Sequence, residues 1–580
     1  MEIRFLGPLG KVTGSCAWLR DDRRAWNFLV DCGMQQGEET AKEWNNQNWP
    51  FEPKEIKFVI LTHAHIDHSG LLPCLYRDGF KGKVYCTQET AELAKVLLKD
   101  AANLDSKLFT DAEIKKIVWS PFKREPILGR RNPVDDDLFI QFFRSGHILG
   151  AVSACIYWGD HKRGEQKRIV FSGDIGPQRE DEEVLPIIRH AMNPGACDFA
   201  VLESTYGSKV RDSSERDPEE RRHHLRRLLI QTIERNGTLI IPCFALGRSQ
   251  DVMFDLHAIV AQEPDLFGAT RFILDYPLAQ RLNKATSKFW KMTDSNGHKN
   301  SPAWLGKQVF RLLGLPCNDP SSNIEAFKAI DALVTDRDDP DWVPLCGGNH
   351  VAAQWKPVFS LKDPVTDDIR SGQVPTVIVT GSGDCQSGKA SKWLPELLPD
   401  GNVIVALTGF CSSGSVGRQL LDIAGLPARE RELHVSKEIT WETSRGRTSV
   451  CVADIKATIE SIKGYSAHGD QSDLLNWVFQ NPGGAPSGRT IFLQHGDDLN
   501  REGLRAALTE AASQAKVELE VRLPGSESGW ISLEAGAPED PDARALQELL
   551  ARRPDLRSQI LDSEKAEEGD LAPVACRKSV

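Results

Sequence analysis

The chain has 580 residues, a net charge of −11 and an ordinary globular composition, enough for two or three domains with full cores. No apolar run is long enough to span a bilayer, the N-terminal MEIRFLGPLG lacks the basic-then-apolar signature of a secretory signal, and the thirteen scattered cysteines contain no CxxC pair. The expectation is therefore a cytoplasmic protein with no membrane association, no disulfide framework and no thiolate zinc knuckle.

In chain order, residues 2–6, 15–20 and 26–30 read as short strands, the last two joined by the charged turn Asp21-Asp22-Arg23-Arg24. The apolar run Lys57-Phe58-Val59-Ile60-Leu61 leads directly into THAHIDHSG, which places His63, His65, Asp67 and His68 within six positions. Imidazole and carboxylate suit a borderline divalent ion such as zinc. Four such groups in one turn cannot all reach one ion with good geometry, so two adjacent metals are expected, and a metal pair points to hydrolysis. A helix over 88–99 follows from Leu93, Val96 and Leu97, with Thr87 as its N-cap. Further strands are predicted at 138–144, 152–158, 168–172 and 199–202.

The middle of the chain changes character. A basic helix over 219–235 closes at Asn236-Gly237. Strand Thr238–Pro242 follows, and Leu246-Gly247-Arg248-Ser249-Gln250 opens the next helix. Strands recur at 271–275, 375–380 and 402–407, the last two followed by helices, an alternation that implies a parallel sheet with helices on its faces. Residues 290–350 read as loops and short helices. Near 460 the β-rich section returns, with a strand at 461–466, a helix at 471–479 and strand Thr490–Gln494. From 536 the chain is a mixed-charge helical tail, limited in length by Pro541 and Pro554.

Groups of the same chemistry as the histidine-rich loop stand at other strand ends: His147 in SGHILG, Asp174 in VFSGD, His468 in YSAHGD and His495 in FLQHG. Taken with Asp31 in LVDCG and Glu203 in LESTYG, their order resembles the motif series of the metallo-β-lactamase fold and, within it, the β-CASP nucleases of bacterial RNA-processing type. The resemblance spans roughly residues 1–530. It implies an α/β protein, an αββα sandwich formed by residues 1–207 and 459–535, interrupted by a parallel-sheet β-CASP domain over 208–458, with 536–580 outside it. It also implies ligand roles: His63, His65 and His147 for one divalent ion, Asp67, His68 and His495 for the second, and Asp174 bridging them, with one position left open for a shared hydroxide. Zinc is expected, with manganese as the alternative. Asp31 would orient a ligand histidine.

Glu203 beside His468 would raise the imidazole pKa and fix its tautomer, so that His468 can protonate a leaving 3′ oxygen. With Asp67 these form the expected catalytic group. Within the family a histidine at the position of His495 goes with RNA-processing members, so the resemblance implies hydrolysis of single-stranded RNA, endo- or 5′→3′ exonucleolytic, by a chain that can form a homodimer. A DNA or small-phosphodiester hydrolase of the same fold and an inactive RNA-binding scaffold are the competing readings. For substrate contacts, three glycine-rich strand ends offer backbone amides and cations: Gly247-Arg248, Gly381-Ser382-Gly383 and Gly417-Arg418. The cluster Arg221, Arg222, Arg226 and Arg227 is expected chiefly as a solvated helix face. The chain departs from the family pattern at Tyr276, at Asp384-Cys385 and at Asp497, and none of these removes a ligand.

Overall fold

The computed structural model describes residues 1–290 and 369–534, apart from residue 8 and stretches within 36–47, 123–127, 160–165, 178–188, 370–373, 410–413, 434–435, 444–445, 482–485 and 526–527. Most of the 290–350 segment and the tail from 536 lie outside the described residues.

Two seven-stranded sheets form the first layer pair. One runs Ile531–Ser532, Glu2–Leu6, Cys16–Asp21, Trp26–Val30, Phe58–Ile60, Lys83–Tyr85, Val118–Trp119. The other runs Glu520–Arg522, Thr490–Gln494, Phe199–Glu203, Lys167–Phe171, Val152–Trp158, Leu138–Arg144, Arg131–Asp135. Alternation along the strands decides what each face meets. Ile3, Phe28 and Ile60 of the first sheet share one buried cluster with Ile140, Ile156, Phe171 and Phe492 of the second. The opposite residues of the second sheet, Ala200, Leu202, Ile491 and Leu493, are covered by Leu474 and Trp477 of helix Gln471–Phe479 and by Leu504 and Leu508 of helix Asp498–Ala515. On the outer face of the first sheet, Leu29, Val59 and Val84 join Leu93 and Leu97 of helix Gln88–Leu104, whose N-cap Thr87 accepts from the Thr90 amide. The result is the αββα sandwich expected from the sequence.

The inserted unit carries a five-stranded parallel sheet in the order Arg271–Asp275, Thr376–Thr380, Thr238–Pro242, Val403–Leu407, Thr458–Ser461. Its strands are buried on both sides: Leu239, Ile241, Val377 and Val379 enter one cluster, and Ile240, Ile378 and Val405 the other. The first of these clusters also holds Leu93, Leu97 and Leu98 of the sandwich beside Leu282 and Ala285 of helix Pro277–Trp290, so sandwich and insertion share a continuous core. The strand predicted at 461–466 lies instead at Thr458–Ser461 and closes the inserted sheet. Its Glu460 is bound by His224 and Arg227. The hairpin Glu438–Thr443 with Gly446–Cys451 and the helix Asp498–Ala515 were not foreseen.

The arginine-rich helix Pro218–Glu234 corrects another expectation. Arg221 and Arg222 are buried, at 3% and 5% exposure, so this part of the helix is neither a solvated face nor open to RNA. Arg221 Nε lies 2.7 Å and Arg222 Nε 3.4 Å from the Asp255 carboxylate on the adjoining helix Arg248–Gln262. Arg226 pairs with Glu263 at 2.5 Å and Arg227 with Glu460 at 2.9 Å. A buried ion pair contributes little over an apolar pair, but removing one partner strands the other charge. Asp255→Ala is therefore expected to destabilise the protein by about 3–5 kcal/mol, read as a lower urea midpoint. A midpoint shift within error would mean that the two guanidinium groups find other compensation.

Candidate metal centre

Strands Lys167–Phe171, Phe199–Glu203 and Thr490–Gln494 are neighbours and run parallel, so their carboxyl ends deliver Asp174, Glu203 and His495 side by side. From the facing sheet, Phe58–Ile60 leads into the loop of His63 and His65 and a short helical turn, Ile66–Ser69, that carries Asp67 and His68. This loop sits tightly on the Asp31-Cys32-Gly33 turn: a Cβ on Gly33 would fall 1.6 Å from the Asp67 carbonyl oxygen, which leaves no residue but glycine there. His147 follows strand Leu138–Arg144, and His468 stands between the end of the inserted sheet and helix Gln471–Phe479.

The side chains meet in two groups about Asp174. Its Oδ2 lies 3.4 Å from His63 Nε2 and 3.5 Å from His147 Nε2, while His65 Nδ1 lies 3.2 and 3.0 Å from the same two nitrogens. Its Oδ1 lies 3.2 Å from His68 Nε2 and 3.8 Å from the His495 ring, whose Nε2 is 3.2 Å from Asp67 Oδ2. Ligand atoms 2.0–2.1 Å from a tetrahedral ion stand about 3.3 Å apart, which is the spacing of these atoms. His68 Nε2 and Asp174 Oδ1 are buried and, despite their proximity, neither has a hydrogen-bond partner of acceptable geometry among the described residues. Three imidazole nitrogens converging on one another likewise suit a shared cation better than shared hydrogens. The donor set therefore fits divalent metal.

The far side of each ring is fixed. His68 Nδ1 is 2.8 Å from Asp31 Oδ2, and that carboxylate also accepts from Thr62 N and Thr62 Oγ1 at 2.8 and 2.9 Å. His147 Nδ1 donates to the Ala467 carbonyl at 3.0 Å, and His495 Nδ1 is 3.1 Å from Thr205 Oγ1. Such partners set tautomer and ring orientation. Asp31 and His495 both hold left-handed backbone, φ +61° and +54°, at a cost on the order of 1 kcal/mol each.

Burial pulls His65 down to about 4 and holds His63 and His147 well below the usual imidazole range, so these rings are neutral, the form that binds metal. Burial would raise Asp174, but His495, His68 and His63 hold it well below the usual carboxylate range.

Beside this cluster, His468 Nδ1 lies 3.2 and 3.3 Å from the two Glu203 oxygens, and its Nε2 is 3.9 Å from Asp174 Oδ2. Glu203 is fixed by the amides of Ile175 at 2.7 Å and Thr205 at 3.2 Å. Burial, the largest single influence, lowers the His468 pKa, but the Glu203, Asp174 and Asp67 carboxylates together bring it above the ordinary value.

The metallo-beta-lactamase superfamily model matches residues 10–239, the Beta-Casp domain model 249–420, and the Zn-dependent metallo-hydrolase RNA specificity domain model 452–524. The chain belongs to the β-CASP branch of the metallo-β-lactamase superfamily. Among its curated relatives, "Ribonuclease TTHA0252" of Thermus thermophilus is 26% identical over 86% of this chain and 94% of its own length. "Transcription termination factor FttA" of Methanocaldococcus jannaschii is 26% identical over 86% of this chain and 67% of its own. The "RNase J-like protein" of the same organism is 25% identical over 83% and 90%.

Of the β-CASP residues singled out for substrate contact, the structure gives the side chains other tasks. Arg248 is buried, its Nη1 donating to the Thr408 carbonyl. Arg418 is half-exposed and pairs with Asp422 at 2.7 Å. Ser382 Oγ bonds Asp384 and accepts from the Ser387 amide, and Gly383 packs against Phe244. The sequence reading missed Thr62 and Thr205, and it missed Arg189. The Arg189 guanidinium donates to the His147 carbonyl and lies 2.5 Å from Asp251 of the inserted helix. No motif marks it. Among the described residues no helix is long and apolar enough to cross a membrane.

Asp31→Ala removes the acceptor that orients His68. Affinity for zinc, measured by chelator competition, is expected to fall about 10–100-fold. Unaltered affinity would show that the ring is held without it.

Proposed function

We propose that this chain is a ribonuclease that hydrolyses phosphodiester bonds of single-stranded RNA with a pair of divalent ions. One ion would be held by His63, His65, His147 and Asp174, the other by Asp67, His68, His495 and Asp174. The observation that carries the reading is the split of contacts about Asp174, one oxygen toward each histidine group. Zinc is the favoured metal, on the imidazole and carboxylate set and on the description of the family model matched over 452–524. The RNA substrate is supported by that model, which spans His468 and His495, and by the ribonuclease names of two relatives. When bound, the ions supply Lewis acidity and lower the pKa of coordinated water toward neutrality.

The remaining steps fall to the protein. Asp174 and Asp67 offset cationic charge in a site where burial strengthens every electrostatic contact. Glu203 holds His468 by Nδ1, so the proton on Nε2 points to the side where Asp174 lies 3.9 Å away. The His468 side chain is 21% exposed, against 2% for Asp174, so it can touch a substrate that enters the cleft. In this mechanism His468 gives its Nε2 proton to the 3′ oxygen as the phosphorus–oxygen bond breaks, and Glu203 stabilises the imidazolium before transfer.

Purified protein should degrade single-stranded RNA in preference to DNA of the same sequence and carry about two zinc ions per chain. Asp67→Ala and His468→Ala should each lower kcat by about 100-fold or more, with His468→Ala keeping its metal. Wild-type rates from Asp67→Ala would overturn the site, and equal or faster cleavage of DNA would overturn the substrate class.

A further inference from the structure

We infer that Phe244 is a stacking platform for a nucleobase of the substrate, close to the scissile phosphate; this rests on the ribonuclease reading. Phe244 follows the central strand of the inserted sheet, Thr238–Pro242, and is 44% exposed. Among the described side chains it is the only exposed aromatic one: every other described phenylalanine, tyrosine and tryptophan side chain is buried or half-buried.

The place is specific. The strand on one side, Thr376–Thr380, leads to Gly383, and the strand on the other, Val403–Leu407, leads to Gly409. A Cβ on Gly383 would lie 2.9 Å from Phe244 Cδ2, and one on Gly409 would lie 3.5 Å from Cε2. The two glycines thus form a slot that holds one edge of the ring and sets its orientation in advance, which lowers the ordering cost of binding. The chain reverses its winding here: the helix after the central strand leads to one edge of the sheet, and the connection from Thr376–Thr380 to Val403–Leu407 passes over the central strand. Ligands of open parallel sheets bind at the carboxyl ends of strands at such switch points.

The segment just after Phe244 reaches the loop that carries His147. Three residues on, a Cβ on Gly247 would lie 3.2 Å from Ile148 Cγ2, next to His147. Ala245 and Leu246 share a buried cluster with Ile148 and Leu149. From the opposite wall, Tyr206 lies 6.1 Å from the His468 ring, but Arg211 already covers its ring at 4.9 Å. Among the described residues Phe244 is the aromatic surface that remains open. A base has a π face whatever its identity, so stacking here positions RNA without reading sequence.

The test is an abasic scan. Oligoribonucleotides with one known cleavage position, each lacking the base at a single site near that position, are cleaved by wild type, Phe244→Ala, Phe244→Leu and Phe244→Trp. On intact RNA, Phe244→Ala and Phe244→Leu should lose about tenfold or more in kcat/KM, and Phe244→Trp should stay near wild type. At one abasic position wild type should fall to the level of Phe244→Ala, and there Phe244→Ala should lose nothing further. Zinc content and unfolding midpoint should match wild type in all three variants. An equal loss for Phe244→Ala at every abasic position, or no loss on intact RNA, would overturn the proposal, the latter pointing to a protein-docking role for the ring. Absence of wild-type cleavage of the intact RNA would instead overturn the ribonuclease reading on which it rests.

Discussion

The structure turns on one carboxylate. Asp174 is almost wholly buried, at 2% exposure, and each of its oxygens faces a separate set of imidazoles. Its position follows from topology: three adjacent parallel strands must end at one level for Asp174, Glu203 and His495 to line up, and the facing sheet must bring the histidine loop close, His63 Nε2 lying 3.4 Å from Asp174. A slip of one residue in any of these strands would turn the group at its end to the opposite face.

That convergence opposes folding and needs rigid support. Neutral and charged polar groups are buried where water cannot satisfy them, and Asp31 and His495 adopt backbone that side chains disfavour. The support is a ring of ordinary hydrogen bonds one layer out: Thr62 to Asp31, Ala467 to His147, Thr205 to His495, and the amides of Ile175 and Thr205 to Glu203. Cations at the centre would relieve the remaining conflict, since they satisfy many lone pairs at once. Metal binding and folding should therefore reinforce each other.

The centre was legible in the sequence because its chemistry is dense and local. Four ligand-type side chains in six positions are dense enough to read from spacing, whereas the isolated histidines just past apolar strands take their meaning from the family resemblance. What escaped depends on partners distant along the chain. Arg221 and Arg222 read as surface residues because nothing nearby reveals that Asp255, on another helix, takes them inside. Arg189 has no motif around it, and its two partners come from different domains. Strand Thr458–Ser461 was misplaced because its polar Glu460 is satisfied by the helix of Arg227, so alternation failed as a signal. The helix Asp498–Ala515 was readable from Asp497 as cap and from Leu504, Leu508 and Ala512 at fourfold spacing, and it was overlooked.

The inserted domain does more than roof the centre. Arg189 grips the carbonyl of His147 with one arm and Asp251 of the insertion with the other, while Ala467, one residue before His468, receives the His147 ring. A ligand loop, the loop bearing the proposed proton donor and the helix that opens at Arg248 are thus mechanically one unit. A shift of the insertion to admit a polymer would pull on the backbone of His147 through two buried charge-assisted bonds, and these weaken steeply with distance. The pair therefore resists displacement of the insertion from the His147 loop.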